Sequence, residues 1–221
     1  MSNNWSSKKA GNFSDLLENV PEAYRNTLRM NEYMIILNPN QELRERIIKV
    51  KQQFAEKFDA KMAVNAKPHI MLASFKSWDI MEEKITQRLK HISMGTAPFK
   101  VEIKDFGSFP SHTVFLQVTS KIPVGMLVKE LKTAQRLMKA DPANDPYFVN
   151  DPYINIARRL LPWQYEKGWL EYSHRHFSGK FIADSMLLVK RREGTKSWQI
   201  AARYEFENLP VTIKQARLFA V

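Results

Sequence analysis

The chain has 221 residues, 44% of them apolar and 26% charged, enough for one sizeable core or two small lobes. Its 34 Lys and Arg against 23 Asp and Glu leave a net charge of +11, which favours polyanionic partners such as RNA, DNA, nucleotides or an anionic membrane surface. The lack of cysteine excludes a disulfide scaffold and thiolate metal sites. No apolar run approaches the roughly 18 residues of a membrane span, and the polar stretch 1–11 has no apolar leader, so a cytoplasmic protein with no membrane partner is expected.

In chain order, residues 1–30 read as an arm, partly helical or mobile, with Ser14 able to cap a short helix and Pro21 near its end. From residue 31 to 221 the pattern predicts one bilobal domain. Tyr33 to Leu37 is a short buried strand closed by Asn38-Pro39-Asn40. Leu43, Ile47, Val50, Phe54 and Phe58 follow at helical spacing. A strand is expected over 68–75, a helix on Met81, Ile85, Leu89 and Ile92, and a strand from Phe99 to Phe106.

A turn from Gly107 to His112 leads to a strand over Val114 to Val118, and Leu127, Leu131, Ala134 and Met138 then mark a helix. The next loop carries three Asp-Pro steps, at Asp141, Asp145 and Asp151. A strand over 152–160, a helix from Trp163 to His174 and two long strands near 178–191 and 197–206 complete the series.

Two stretches nearly repeat each other: Pro68-His69-Ile70-Met71-Leu72-Ala73 and Pro152-Tyr153-Ile154-Asn155-Ile156-Ala157. Strand alternation puts Ile70, Leu72, Ile154 and Ile156 on an apolar face, and His69, Met71, Tyr153 and Asn155 on the other. The surrounding elements repeat too, giving pseudo-repeats of about 32–110 and 111–207. The expected fold is α+β, bilobal and internally duplicated, with two sheets, flanking helices and the two motif strands adjacent across a pseudo-twofold.

The polar faces carry the candidate chemistry. His69 suits proton transfer near neutral pH. Asn155 can donate to a phosphate oxygen, and Tyr153 can donate but is a poor base. By alternation, either Arg158 or Arg159 faces an anion. His174-Arg175-His176 lacks the further ligands of a metal site. Lys190-Arg191-Arg192 reads as a solvated hairpin tip, and Trp163, Trp169 and Trp198 as core.

The paired strands, the Phe106-Gly107-Ser108-Phe109-Pro110 turn and the Ala157-Arg158 step resemble the 2H phosphoesterase superfamily, the 2′,5′ RNA ligase-like proteins. The resemblance covers roughly residues 32–207. It implies two His-x-Thr/Ser-x strands acting on a 2′,3′-cyclic or 2′,5′-linked phosphodiester of a nucleotide or RNA, one His as base and one as acid, with no metal and no cofactor. His69 matches the first histidine. Met71 and Asn155 stand where Thr or Ser is expected, and Tyr153 stands for the second histidine. Two functions follow as expectations. One is a degenerate phosphoesterase in which His69 and Tyr153 are catalytic and Asn155 and Arg158 bind substrate. The other is a non-catalytic nucleotide- or RNA-binding or scaffolding module.

Overall fold

The computed structural model describes residues 29–139 and 144–210. The first strand, β1 (Met30–Leu37), buries Asn31, Tyr33, Ile35 and Leu37 and leaves Glu32 and Met34 half-buried, the alternation a sheet face requires. Asn40 ends the strand's loop and starts helix α1 (Gln41–Lys57), because its side chain accepts a hydrogen bond from the Leu43 backbone N–H at 3.1 Å. A 3-10 turn (Lys61–Val64), β2 (Ile70–Trp78), a second 3-10 turn (Asp79–Met81), α2 (Glu82–Gly95) and β3 (Phe99–Phe109) complete the first half.

The second half runs through β4 (Thr113–Val118), α3 (Lys121–Lys132), the one-turn α4 (Gln135–Met138), β5 (Tyr147–Phe148), β6 (Tyr153–Arg158), α5 (Pro162–Tyr172) and β7 (Ser178–Ala183). The hairpin of β8 (Ser185–Arg192) and β9 (Gln199–Glu205) follows.

Two antiparallel sheets result. Sheet one has the order β5-β2-β1-β8-β9 and sheet two the order β6-β4-β3-β7. Without β5 the two orders correspond, motif strand to motif strand and first strand to first strand. The helices that follow the first strands are exchanged: α1 leaves sheet one and packs on β6 and β7 of sheet two, while α3 leaves sheet two and packs on β2. The expected α+β two-sheet fold is therefore present, with a core that runs continuously through both sheets.

The correspondence extends to a shared irregularity. Ile35 pairs with Ala73 but Ile36 with Met71, leaving Leu72 as an extra residue; Val114 pairs with Ala157 but Phe115 with Asn155, leaving Ile156 extra. Each motif strand thus bulges at the same place. A bulge resets which face later residues occupy. Leu72 and Ala73 are both buried, as are Ile156 and Ala157, and Ser74 and Arg158 move to the outward face of their strands.

Four expectations need correction. Residues 1–28 of the arm placed at 1–30 lie outside the described residues, and Met30 already belongs to β1. The strand at 178–191 is two strands, divided at Asp184, with β7 in sheet two and β8 in sheet one. The run is apolar on both sides of Asp184 because each part enters a core, so periodicity alone did not divide it. The helix through Met138 breaks at Thr133 and Ala134. The turn at 107–112 starts later, because β3 runs to Phe109 and the chain reverses over Pro110 to His112, with Ser111 at φ 69°.

Glycines distinguish the packed from the open helix surfaces. A Cβ at Gly168 of α5 would sit 2.6 Å from Cζ of Phe54, whose ring is held by Phe58 and Tyr172 at centroid distances of 4.8 and 5.0 Å. A Cβ at Gly125 of α3 would meet nothing within 4 Å. Gly168→Ala is expected to destabilise by about 1–3 kcal/mol through overpacking. Gly125→Ala should stabilise by about 0.5–1 kcal/mol through helix propensity. Urea denaturation of both variants checks the opposite signs.

Candidate functional site between the motif strands

β6 is the edge of sheet two and lies against β2 of sheet one, so the outward faces of the motif strands meet along a seam. His69 immediately precedes β2 and is half-buried there. Its ring Nδ1 lies 2.7 Å from the Lys67 backbone carbonyl. A carbonyl only accepts, so Nδ1 carries the proton and donates, and the neutral ring keeps its lone pair on Nε2. Burial pushes the imidazole below its ordinary value of 6.5; the Lys67 carbonyl opposes this, and the charges of Lys51 and Arg158 push it further down. His69 is thus a neutral base at neutral pH.

Lys51 reaches the same seam from α1. It is 4% exposed, and its Nζ donates to the Asn155 backbone carbonyl of β6 at 3.1 Å. Burial first, and Arg158 second, lower its pKa to about 8. The sequence reading did not single out this residue. Its signal is position: Lys51 lies on the buried stripe of α1 between Ile47 and Phe54, where a charge is out of place.

Arg158 links the set. The β6 bulge puts it on the outward face with Tyr153 and Asn155, so of the two arginines left open by alternation it is Arg158 that faces the seam. Its charge acts on Lys51, His69 and Tyr153. Arg159 takes φ 57° and turns the chain away. Among the described residues neither Lys51 nor Arg158 has an ion pair.

Tyr153 is held in an aromatic group, with Phe109 edge-on at 5.2 Å and Phe115 at 4.9 Å. Gly107 makes room for this packing, since a Cβ there would lie 2.5 Å from the Phe115 ring. Burial, and then Tyr147, push the phenol above its ordinary value, while Arg158 pulls it down. Tyr153 is therefore a protonated donor and not a base. Met71, half-buried opposite Ile36, brings a thioether and no hydrogen-bond donor to its side of the seam.

The other singled-out residues lie elsewhere. Lys190 binds Glu82 through both carboxylate oxygens at 2.8 Å, and Arg191 pairs with Glu32 while lying over the Trp198 ring at 4.6 Å. These two are neutralised rather than solvated. Trp169 packs against the core and Trp198 against a small cluster of Ile36, Leu187 and Val189. Trp163 is 44% exposed under the Lys167 ammonium, which corrects its assignment to the core. Among the described residues no group of three or more His, Cys, Asp or Glu is placed to hold a metal, and no helix is long and apolar enough to cross a membrane. A cavity of about 860 Å³ opens beside Asn40, Arg46, Asp105 and His176, and no motif residue lines it.

A sequence profile of the 2′-5′ RNA ligase superfamily matches residues 39–195, and the chain belongs to that superfamily. Solved structures agree on the fold. Escherichia coli LigT complexed with 3′-AMP is similar over 81% of this chain and 98% of its own, at 17% identity and a TM-score of 0.59. TT0787 of Thermus thermophilus is similar over 80% and 98%, at 15% identity and a TM-score of 0.59. LigT complexed with phosphate gives 80% and 98%, 15% identity and a TM-score of 0.55. No curated protein sequence matches the chain.

The lowered Lys51 pKa has a consequence for stability. Between about pH 8 and 10.5 the unfolded chain holds a proton that the folded chain has lost, so stability rises with pH across that window. Below about pH 8 the fold carries the full cost of a buried ammonium, about 3 kcal/mol for a shift from 10.5 to about 8. Relative to Lys51→Leu, the wild type is expected to gain most of that amount between pH 7.5 and 10. Parallel urea titrations at the two pH values measure it.

Proposed function

We propose that the protein binds the phosphate of a nucleotide or RNA end in the seam, and that it slowly hydrolyses a 2′,3′-cyclic or 2′,5′-linked phosphodiester there. The observation that carries this reading is the His69 tautomer: Nδ1–H is committed to the Lys67 carbonyl, and Nε2 is a free base beside the Arg158 cation. Nε2 takes a proton from the attacking water, the water oxygen bonds to phosphorus, and the ester oxygen departs with a proton from Tyr153 or from solvent. Arg158 and Asn155 hold phosphoryl oxygens. LigT, which shares the fold, has been crystallised with 3′-AMP and with phosphate. Cytoplasmic nucleotides or RNA ends are the partners this reading assigns, with neither metal nor cofactor.

A second reading, a binding module without turnover, has its own support. Met71 offers the phosphate no donor, and Tyr153 is packed between Phe109 and Phe115 with its proton firmly bound.

Phosphorus NMR on adenosine 2′,3′-cyclic monophosphate and a 2′,5′-linked dinucleotide separates the two. Slow turnover is expected in the wild type, with a loss of about 10²- to 10⁴-fold in His69→Ala. Equal rates in both proteins would remove the catalytic reading and leave the binding module. The rate should rise with pH with its midpoint below the ordinary histidine value of 6.5, because the neutral imidazole is the active form. Met71→Thr combined with Tyr153→His should raise turnover by restoring a phosphate donor and a second imidazole.

A further inference from the structure

Helix α1 carries a charge that its counterpart does without. At an offset of 80 residues the buried stripes of the two halves align: Ile47 with Leu127, Lys51 with Leu131, Phe54 with Ala134 and Phe58 with Met138. Leu131 is 0% exposed. The counterpart position is thus filled by an aliphatic side chain, so the repeat itself does not call for an ammonium at Lys51. Among the described residues its hydrogen-bond partner is the Asn155 carbonyl, which satisfies one of three N–H donors and none of the charge. Arg158, like charged and also without a carboxylate partner among the described residues, acts on it from the same strand as that carbonyl, β6. Two like charges that act on each other, one of them buried, are relieved by an anion that both contact.

We propose that Lys51 is the phosphate-binding residue of the seam, gripping one tetrahedral phosphate or phosphodiester group together with Arg158 and supplying the donor that Met71 lacks. This rests on the reading of the seam as a phosphate-ester site. The bound anion favours the charged amine, so binding takes up a proton wherever the free protein has lost it. The groups that face Lys51 are Arg158 on β6 and His69. His69, ahead of β2, is already neutral at neutral pH. Lys51 is left as the group whose charge changes near pH 8.

Isothermal titration with two probes of fixed charge, sulfate and dimethyl phosphate, tests this from pH 7 to 9. Wild-type affinity is expected to fall about tenfold, following the protonated fraction of a group that titrates at about 8. Lys51→Leu should bind about tenfold more weakly at pH 7, with no fall toward pH 9. Its melting temperature at pH 7 should equal or exceed the wild type's, as expected for a position already occupied by leucine in the other half. Lys51→Arg should keep the affinity and lose the pH dependence; this variant decides the matter even if the leucine variant does not fold. A flat wild-type profile, or an arginine variant that keeps the fall, overturns the role of Lys51 while leaving the phosphate site standing. A wild type that binds neither probe overturns the phosphate site itself.

Discussion

A strand that gains one residue turns every later side chain to the opposite face. Both motif strands gain one at the same step, Leu72 in β2 and Ile156 in β6, and the chemistry of the seam depends on the second of these. With unbroken alternation Arg158 would share the core face of Ile154 and Ile156. The bulge gives that core position to the small Ala157 and brings the guanidinium around beside Tyr153 and Asn155. The exchange of α1 onto sheet two supplies the remaining cation, since it is this crossing that lets Lys51 reach the Asn155 carbonyl.

The basic character of the chain is unevenly available. Along sheet one, Lys76, Lys190 and Arg191 are matched by Glu193, Glu82 and Glu32. In the seam, Lys51 and Arg158 meet no carboxylate among the described residues, and one of them is removed from water. An unmatched charge at low local dielectric acts more strongly than several exposed ones, so the seam holds more attraction for an anion than the overall count implies. The two sides of the seam also differ in kind: a neutral imidazole and a thioether from one half, a protonated phenol and an amide from the other.

The parts of the fold that follow from periodicity were legible in the sequence. The alternation at Ile70 and Leu72, and at Ile154 and Ile156, and the stripes of α1 and α3 place the strands, the helices and the duplication. His69, Tyr153, Asn155 and Arg158 were legible as a set because they stand at matched places in two similar segments. What stayed hidden is non-periodic. A bulge has no composition of its own, so alternation left Arg158 and Arg159 equivalent. Asp184 divides two strands without interrupting the apolar pattern around it. Lys51 was masked by the stripe it occupies, because a polar residue at a core position reads as a lapse in the pattern rather than as a site.

Asp184 also divides the chain at the point where one sheet has all its strands and the other does not. Sheet two has all its strands, and its covering helices α1 and α5, once the chain has been made as far as Ala183. Sheet one does not, because Tyr33 in β1 must wait for Lys190 in β8. At that length of chain every strand of sheet two is present, while β1 has a partner only on its β2 side. In spite of the duplication neither half holds all the strands of one sheet, and it is the last hairpin that covers the open side of β1.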